Sequence, residues 1–201
     1  MTDIVNNFST TDYVNNVNEE ILFAKQFLNK HNELRRLHGA SDLVLSLELT
    51  TMAREWANKL VEKGHVAFAE ISGVGENITV FPAEISAHEI VDHWYNENRK
   101  YEFETPGWQA AGANYFTQIV WKSTREIGVS RAKIKMPFVE NQQQNNRIIE
   151  KQSDIITDPP KKNTLVVVVA FYRPAGNYNR SGQFALNVSP LTEIINESAN
   201  K

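Results

Sequence analysis

Asn114-Tyr115-Phe116-Thr117-Gln118-Ile119-Val120-Trp121 is the stretch whose reading decides the fold. It follows a loop-like run holding Pro106, Gly107 and Gly112, and it reads as a short helix with Trp121 at a core-like position. Three other segments stand with it. His31-Asn32-Glu33-Leu34-Arg35 lies on the first predicted helix. Gly75-Glu76-Asn77-Ile78 opens a short extended run that Pro82 stops. Phe171-Tyr172-Arg173-Pro174-Ala175-Gly176-Asn177-Tyr178 ends a solid apolar run that starts at Leu165. The four segments span residues 31 to 178, most of the chain.

The rest of the chain fits between them. Residues 1–17 are polar and Asn/Thr-rich and read as a loose tail. Residues 18–195 read as a single domain. Ile21, Ala24, Leu28, His31 and Leu34 recur at helical spacing, with Gly39 as a stop. Leu43-Val44-Leu45 is a short apolar connector. Ser46 caps a second helix with the apolar face Leu49, Met52, Ala53, Trp56 and Leu60, ended by Gly64. Ser86-Ala87-His88-Glu89 is a capping box that opens a third helix through Trp94 and Tyr95. Two β signals follow, Ile127 to Lys135 and Leu165 to Tyr172; the second is a solid apolar run with four β-branched valines and suits a buried central strand. Between them, residues 137–163 form a low-complexity polar insertion around Glu140-Asn141-Gln142-Gln143-Gln144, expected to lack order. Trp108, after Pro106-Gly107, is a candidate surface anchor.

Composition narrows the function classes. A chain of 201 residues, 41% hydrophobic, is long enough for a sizeable core. A formal charge of −3 gives no electrostatic reason to expect nucleic acid. The small groups Arg131/Lys133/Lys135 and Lys161/Lys162 do not change that. There is no cysteine, so nothing argues for an oxidising compartment. The first residues lack the pattern of a signal peptide, and Thr2 excludes N-myristoylation as the sequence stands. No apolar run reaches transmembrane length. No Cys nucleophile, His-Glu-x-x-His or phosphate loop occurs.

Taken together, the four segments resemble the CAP superfamily of cysteine-rich secretory, antigen 5 and pathogenesis-related group-1 proteins. The first matches the signature Gly-His-aromatic-Thr-Gln-hydrophobic-hydrophobic-Trp, with Tyr115 at the histidine. The others match His-Asn-x-x-Arg, Gly-Glu-Asn-hydrophobic and x-Tyr-x-Pro-x-Gly-Asn-aromatic. In style the chain is similar to the short, cysteine-poor Golgi-associated members. The resemblance implies an α+β fold, a CAP-type α-β-α sandwich with a mostly antiparallel central sheet flanked by helices. Pattern alone gives only mixed α+β.

The resemblance also implies a central cleft of two histidines and two glutamates able to hold a divalent metal. Carried over by position, these are His65, Glu76, Glu97 and Tyr115. No histidine occurs after His93, so none replaces Tyr115. A phenol ligates well only after losing a proton with pKa near about 10, so the expected metal site is degenerate and any Zn²⁺ weakly bound. His93, one turn before Glu97, is a conceivable substitute ligand and more often a surface partner of Glu89 or Glu97. Glu76 and Glu97 read equally as ligand contacts or as hydrogen-bond hubs for loops. For His31 and Arg35 a role within the fold is expected. The expected function is non-enzymatic: binding of a lipid-like, sterol-like or other small ligand, or of a protein partner or second copy, through the cleft and its loops. The alternative is a metal-assisted hydrolase using His65, Glu76 and Glu97. The expected location is cytoplasmic or peripheral to endomembranes, with an extracellular alternative.

Overall fold

The computed structural model describes residues 10–107, 112–134 and 164–192. The 137–163 insertion and Trp108 lie outside the described residues. The elements in chain order are α1 (Thr10–Leu37), β1 (Val44–Leu45), α2 (Leu47–Lys63), β2 (Gly75–Pro82), α3 (Ala87–Tyr95), a 3₁₀ turn (Asn96–Lys100), α4 (Asn114–Val120), β3 (Glu126–Ile134), β4 (Leu165–Arg173) and α5 (Gln183–Asn187).

The four strands form one sheet in the order β1-β3-β4-β2. β4 pairs antiparallel with both neighbours, Val169 facing Ile78 on one side and Ser130 on the other. β1 pairs parallel with β3. Successive side chains of a strand point to opposite faces, so a central strand covered on both sides must be apolar at every position. β4 shows the rule. Val166, Val168, Ala170 and Tyr172 pack with Phe27 of α1, Trp94 of α3 and Phe116 of α4. Val167, Val169 and Phe171 pack with Leu49, Ala53, Ala57 and Leu60 of α2. These two cores make the α-β-α sandwich. On β3, Gly128 lets α2 come close: a Cβ there would stand 2.2 Å from the backbone of Leu49 and Thr50.

The helix ends follow their caps. Ser46 accepts from the Leu49 amide, and Gly64 closes α2 in the left-handed region. Ser86 and Glu89 form the full capping box of α3. One boundary differs from expectation: residues 10–17 are helical, not a loose tail. Extending an existing helix adds a hydrogen bond per residue without a new nucleus, so α1 runs on beyond its packed portion. Val14, Val17 and Ile21 there are exposed. α5 carries no sequence signal of its own; Phe184 anchors it against Trp121, ring centroids 5.1 Å apart and nearly perpendicular. Among the described residues no helix is long and apolar enough to cross a membrane.

Candidate functional site

Glu97 sits in the 3₁₀ turn that continues α3. Its Oε2 accepts from the amides of Tyr115 (2.8 Å) and Phe116 (3.4 Å). These are orphan donors of the first turn of α4, whose own N-cap, Ala113, has no side chain able to accept. Glu97 therefore caps α4 from another element. Burial pushes its carboxyl up, and the two amides partly oppose the shift.

Tyr115 stands in the first turn of α4. Its hydroxyl donates to the carbonyl of Ile78 on β2 at 2.8 Å, and its ring packs on Trp94 at 5.6 Å. Asn77 Nδ2 donates in turn to the Tyr115 carbonyl at 3.3 Å. Burial pushes the phenol up, further from the ionised form a metal would need.

Glu76 opens the same strand. One carboxylate oxygen accepts from Ala69 N and the other from Glu70 N, both at 2.8 Å. The pair holds the loop after α2, where Glu70 has φ of 54°, a conformation a non-glycine residue keeps only when held. His65, at the start of that loop, is exposed; Nδ1 contacts the Lys63 carbonyl at 3.1 Å. Thus Glu97, Tyr115 and β2 are joined directly, Glu76 is joined to the loop beyond it, and His65 meets none of the three through a hydrogen bond. His93 packs edge-on to Phe81. Among the described residues no three His, Cys, Asp or Glu side chains gather as a metal would require. The donors as arranged do not fit a divalent ion: among the described residues no three gather, and two backbone amides fix each glutamate, Glu76 through both oxygens and Glu97 through Oε2.

Behind this layer lies a buried polar chain that spacing did not reveal. His31, fully buried, donates from Nδ1 to the Phe27 carbonyl (2.9 Å), which leaves Nε2 to accept from Tyr172 OH (2.9 Å). Asn77 Nδ2 donates to the same hydroxyl at 3.3 Å. Burial pushes His31 down to about 3. Arg35, also fully buried, donates to the carbonyls of Ser41, Ile119, Trp121 and Thr124 at 2.8–3.1 Å. It ties α1 to the exit of α4 through backbone carbonyls, and burial pushes it down to about 10.

The remaining signature residues meet at Gln118. Its Oε1 accepts from Gly176 N at 3.0 Å. A Cβ on Gly75 would fall 2.1 Å from Gln118 Oε1, and one on Gly176 would fall 2.7 Å from Nε2. Thr117 donates to Asn177 Oδ1 at 2.6 Å, and Asn177 Nδ2 donates to the Asn114 carbonyl at 2.9 Å. Three distant segments are thus one joint.

The profile of the CAP group, described as the cysteine-rich secretory protein family, matches residues 28–135. The chain belongs to the CAP family. The human Golgi-associated plant pathogenesis-related protein 1 is 29% identical over 171 residues, 84% of this chain and 93% of that protein. Protein PRY2 of Saccharomyces cerevisiae is 34% identical over 107 residues, 53% of this chain but 31% of its own. Among solved structures, BmVAL-1 superposes with a TM-score of 0.52 at 18% identity, covering 96% of this chain and 88% of its own. NaASP2 with Zn²⁺ gives 0.51 at 17%, covering 84% and 85%. At such identities these two structures bear on the fold alone, and the CAP sandwich is the fold they share with this chain.

Proposed function

We propose that this CAP domain is a non-enzymatic binding protein, taking a lipid-like or other small ligand, or a protein partner, through its central cleft and adjacent loops. One observation carries the reading: Glu76 and Glu97 each hold two backbone amides and so serve as hubs of the frame. A metal ligand must also stand together with others, and among the described residues no three ligating side chains gather. Tyr115, bonded to Ile78, fills the place where a second imidazole would stand. The hydrolase alternative is the weaker reading because His65 lies outside the bonded cluster. Any Zn²⁺ binding is correspondingly weak.

The human relative's description as Golgi-associated supports a place peripheral to endomembranes. An extracellular location is the alternative, since a Candida albicans relative, 32% identical over 106 residues, is described as a secreted protein.

The test is a broad hydrolase and peptidase screen on the unaltered protein and on Glu76→Gln and Glu97→Gln. Glutamine keeps shape and an acceptor but removes the charge a base needs. No turnover is expected from any of the three. Solvent extraction and native mass spectrometry of the unaltered protein should reveal a bound amphiphile. An activity that either substitution abolishes would overturn the reading.

A further inference from the structure

We infer that His38 locks a C-terminal strap, residues 188–192 behind α5, and that the strap opens locally as pH falls. The strap crosses the C-terminal end of α1 and is anchored there. His38 Nδ1 donates to Ser189 O at 2.6 Å. Thr192 N and Oγ1 both donate to Leu37 O, at 2.8 and 2.9 Å. Val188 buries its side chain in the core that holds Phe116 and Phe184.

The lock requires a neutral ring. A carbonyl only accepts, so the bond to Ser189 O puts the proton on Nδ1. Nε2 is then an acceptor, and it takes the hydrogen of the Tyr95 hydroxyl at 2.8 Å. The ring is buried between Tyr95 and Phe116, with centroids 5.7 and 5.4 Å away. A second proton would set Nε2–H against the Tyr95 O–H and place a charge out of water.

The charged neighbours do not offset that cost. Burial pushes the imidazole below its ordinary value near 6.5, and Lys122, at the exit of α4, adds to the shift as a like charge. From α1, Arg35 is committed to backbone carbonyls and Arg36 to Asp42. From α3, burial pushes the Tyr95 phenol up, so it stays neutral. Residues 188–192 carry no titratable side chain.

Of the elements around His38, the strap is the one that can move alone. Asn187, before it, is fixed independently: its carbonyl accepts from Lys122 N at 3.0 Å and its Oδ1 from Ser123 N at 2.9 Å. Pro190, Leu191 and Thr192, after the lock, are exposed. Residues 188–192 can therefore swing from Asn187 and bring His38 to water while the sheet and α4 keep their bonds. The closed strap holds the ring neutral, so the open form takes up the proton first. Opening grows as pH falls below about 6.5 and stops growing where His38 titrates in the closed protein. By pH 5 the ceiling is about thirtyfold, ten to the power of the difference between 6.5 and 5. The lock does not depend on what the cleft binds.

Amide hydrogen exchange followed by NMR on the full chain tests this. The protection factor of the Thr192 amide should fall several-fold, up to about thirtyfold, between pH 7.5 and pH 5. Those of the Lys122 and Arg125 amides, bonded to Asn187 O and Arg173 O, should stay level. In His38→Gln, which keeps a donor and an acceptor but cannot titrate, the fall should vanish. Should that variant not fold, the unaltered protein still decides: the fall must begin near pH 6.5 and level off where the His38 ring nitrogens titrate. A Thr192 amide equally protected at both pH values would overturn the inference. So would an equal fall in His38→Gln, a fall shared by the Lys122 and Arg125 amides, or a levelling-off that follows another histidine.

Discussion

His31 is neutral by construction: one ring nitrogen gives its proton to Phe27 O and the other receives one from Tyr172. Its folded pKa, down to about 3, lies below the ordinary value near 6.5. The unfolded chain therefore takes up the proton first as pH falls. Stability from this group is complete above about 6.5 and is lost progressively toward 3. At pH 4.5 the loss is about 2–3 kcal/mol relative to pH 7. Denaturation at both values checks it. His31→Gln, less stable at pH 7, should lose markedly less between them; equal losses would place the dependence elsewhere. Tyr115 is the other decisive residue. Tyr115→His exchanges a buried phenol for a good zinc ligand, and calorimetry should show Zn²⁺ affinity raised by about ten- to a hundredfold from a weak base. Tight stoichiometric binding by the unaltered chain would contradict that. Spacing exposed Tyr115 at once because a motif position was wrong for its family. It gave no sign of the His31–Tyr172–Asn77 chain, since those partners are 141 and 95 positions apart in sequence.

α4 is a helix of seven residues, below the length that survives in isolation, and its first turn has no local cap. Glu97 supplies one from 18 residues upstream. Glu97→Ala should leave the Tyr115 and Phe116 amides buried without an acceptor and destabilise the fold by about 1–3 kcal/mol. Glu97→Gln, which keeps an oxygen there, should cost less than half as much. Thermal melts of both test the order, and equal losses would mean the cap does not matter. Such long-range capping is illegible to local rules, which found the caps of α2 and α3 because Ser46, Gly64, Ser86 and Glu89 lie within their own helices' ends. The same rules misplaced the start of α1. Asn and Thr at residues 10–17 suggest a tail, yet a helix already nucleated and packed at Phe23 and Phe27 elongates through them. β1 was legible only as an apolar connector, because two residues show no period; parallel pairing with β3 makes it a strand.

At the scale of the molecule, the described elements close on themselves. Both faces of β4 are covered, and the β3–β4 ladder runs from Glu126–Arg173 to Ile134–Leu165. The last register pair sets the two chain ends that bound the insertion side by side. Ala83 N donates to Thr164 O at 2.9 Å and fixes the returning end independently. Residues 140–162 have few large apolar side chains to offset ordering. Deleting Glu140 to Lys162 shortens the connection roughly fivefold, and loop-closure entropy then favours the folded state by about 1 kcal/mol. The melting temperature should stay level or rise by a few degrees, with unfolding still cooperative. Differential scanning calorimetry decides it. A fall of more than about 5 °C, or a broadened transition, would mean that the deleted segment packs on the sandwich. The polar insertion would then have to be counted as part of the domain.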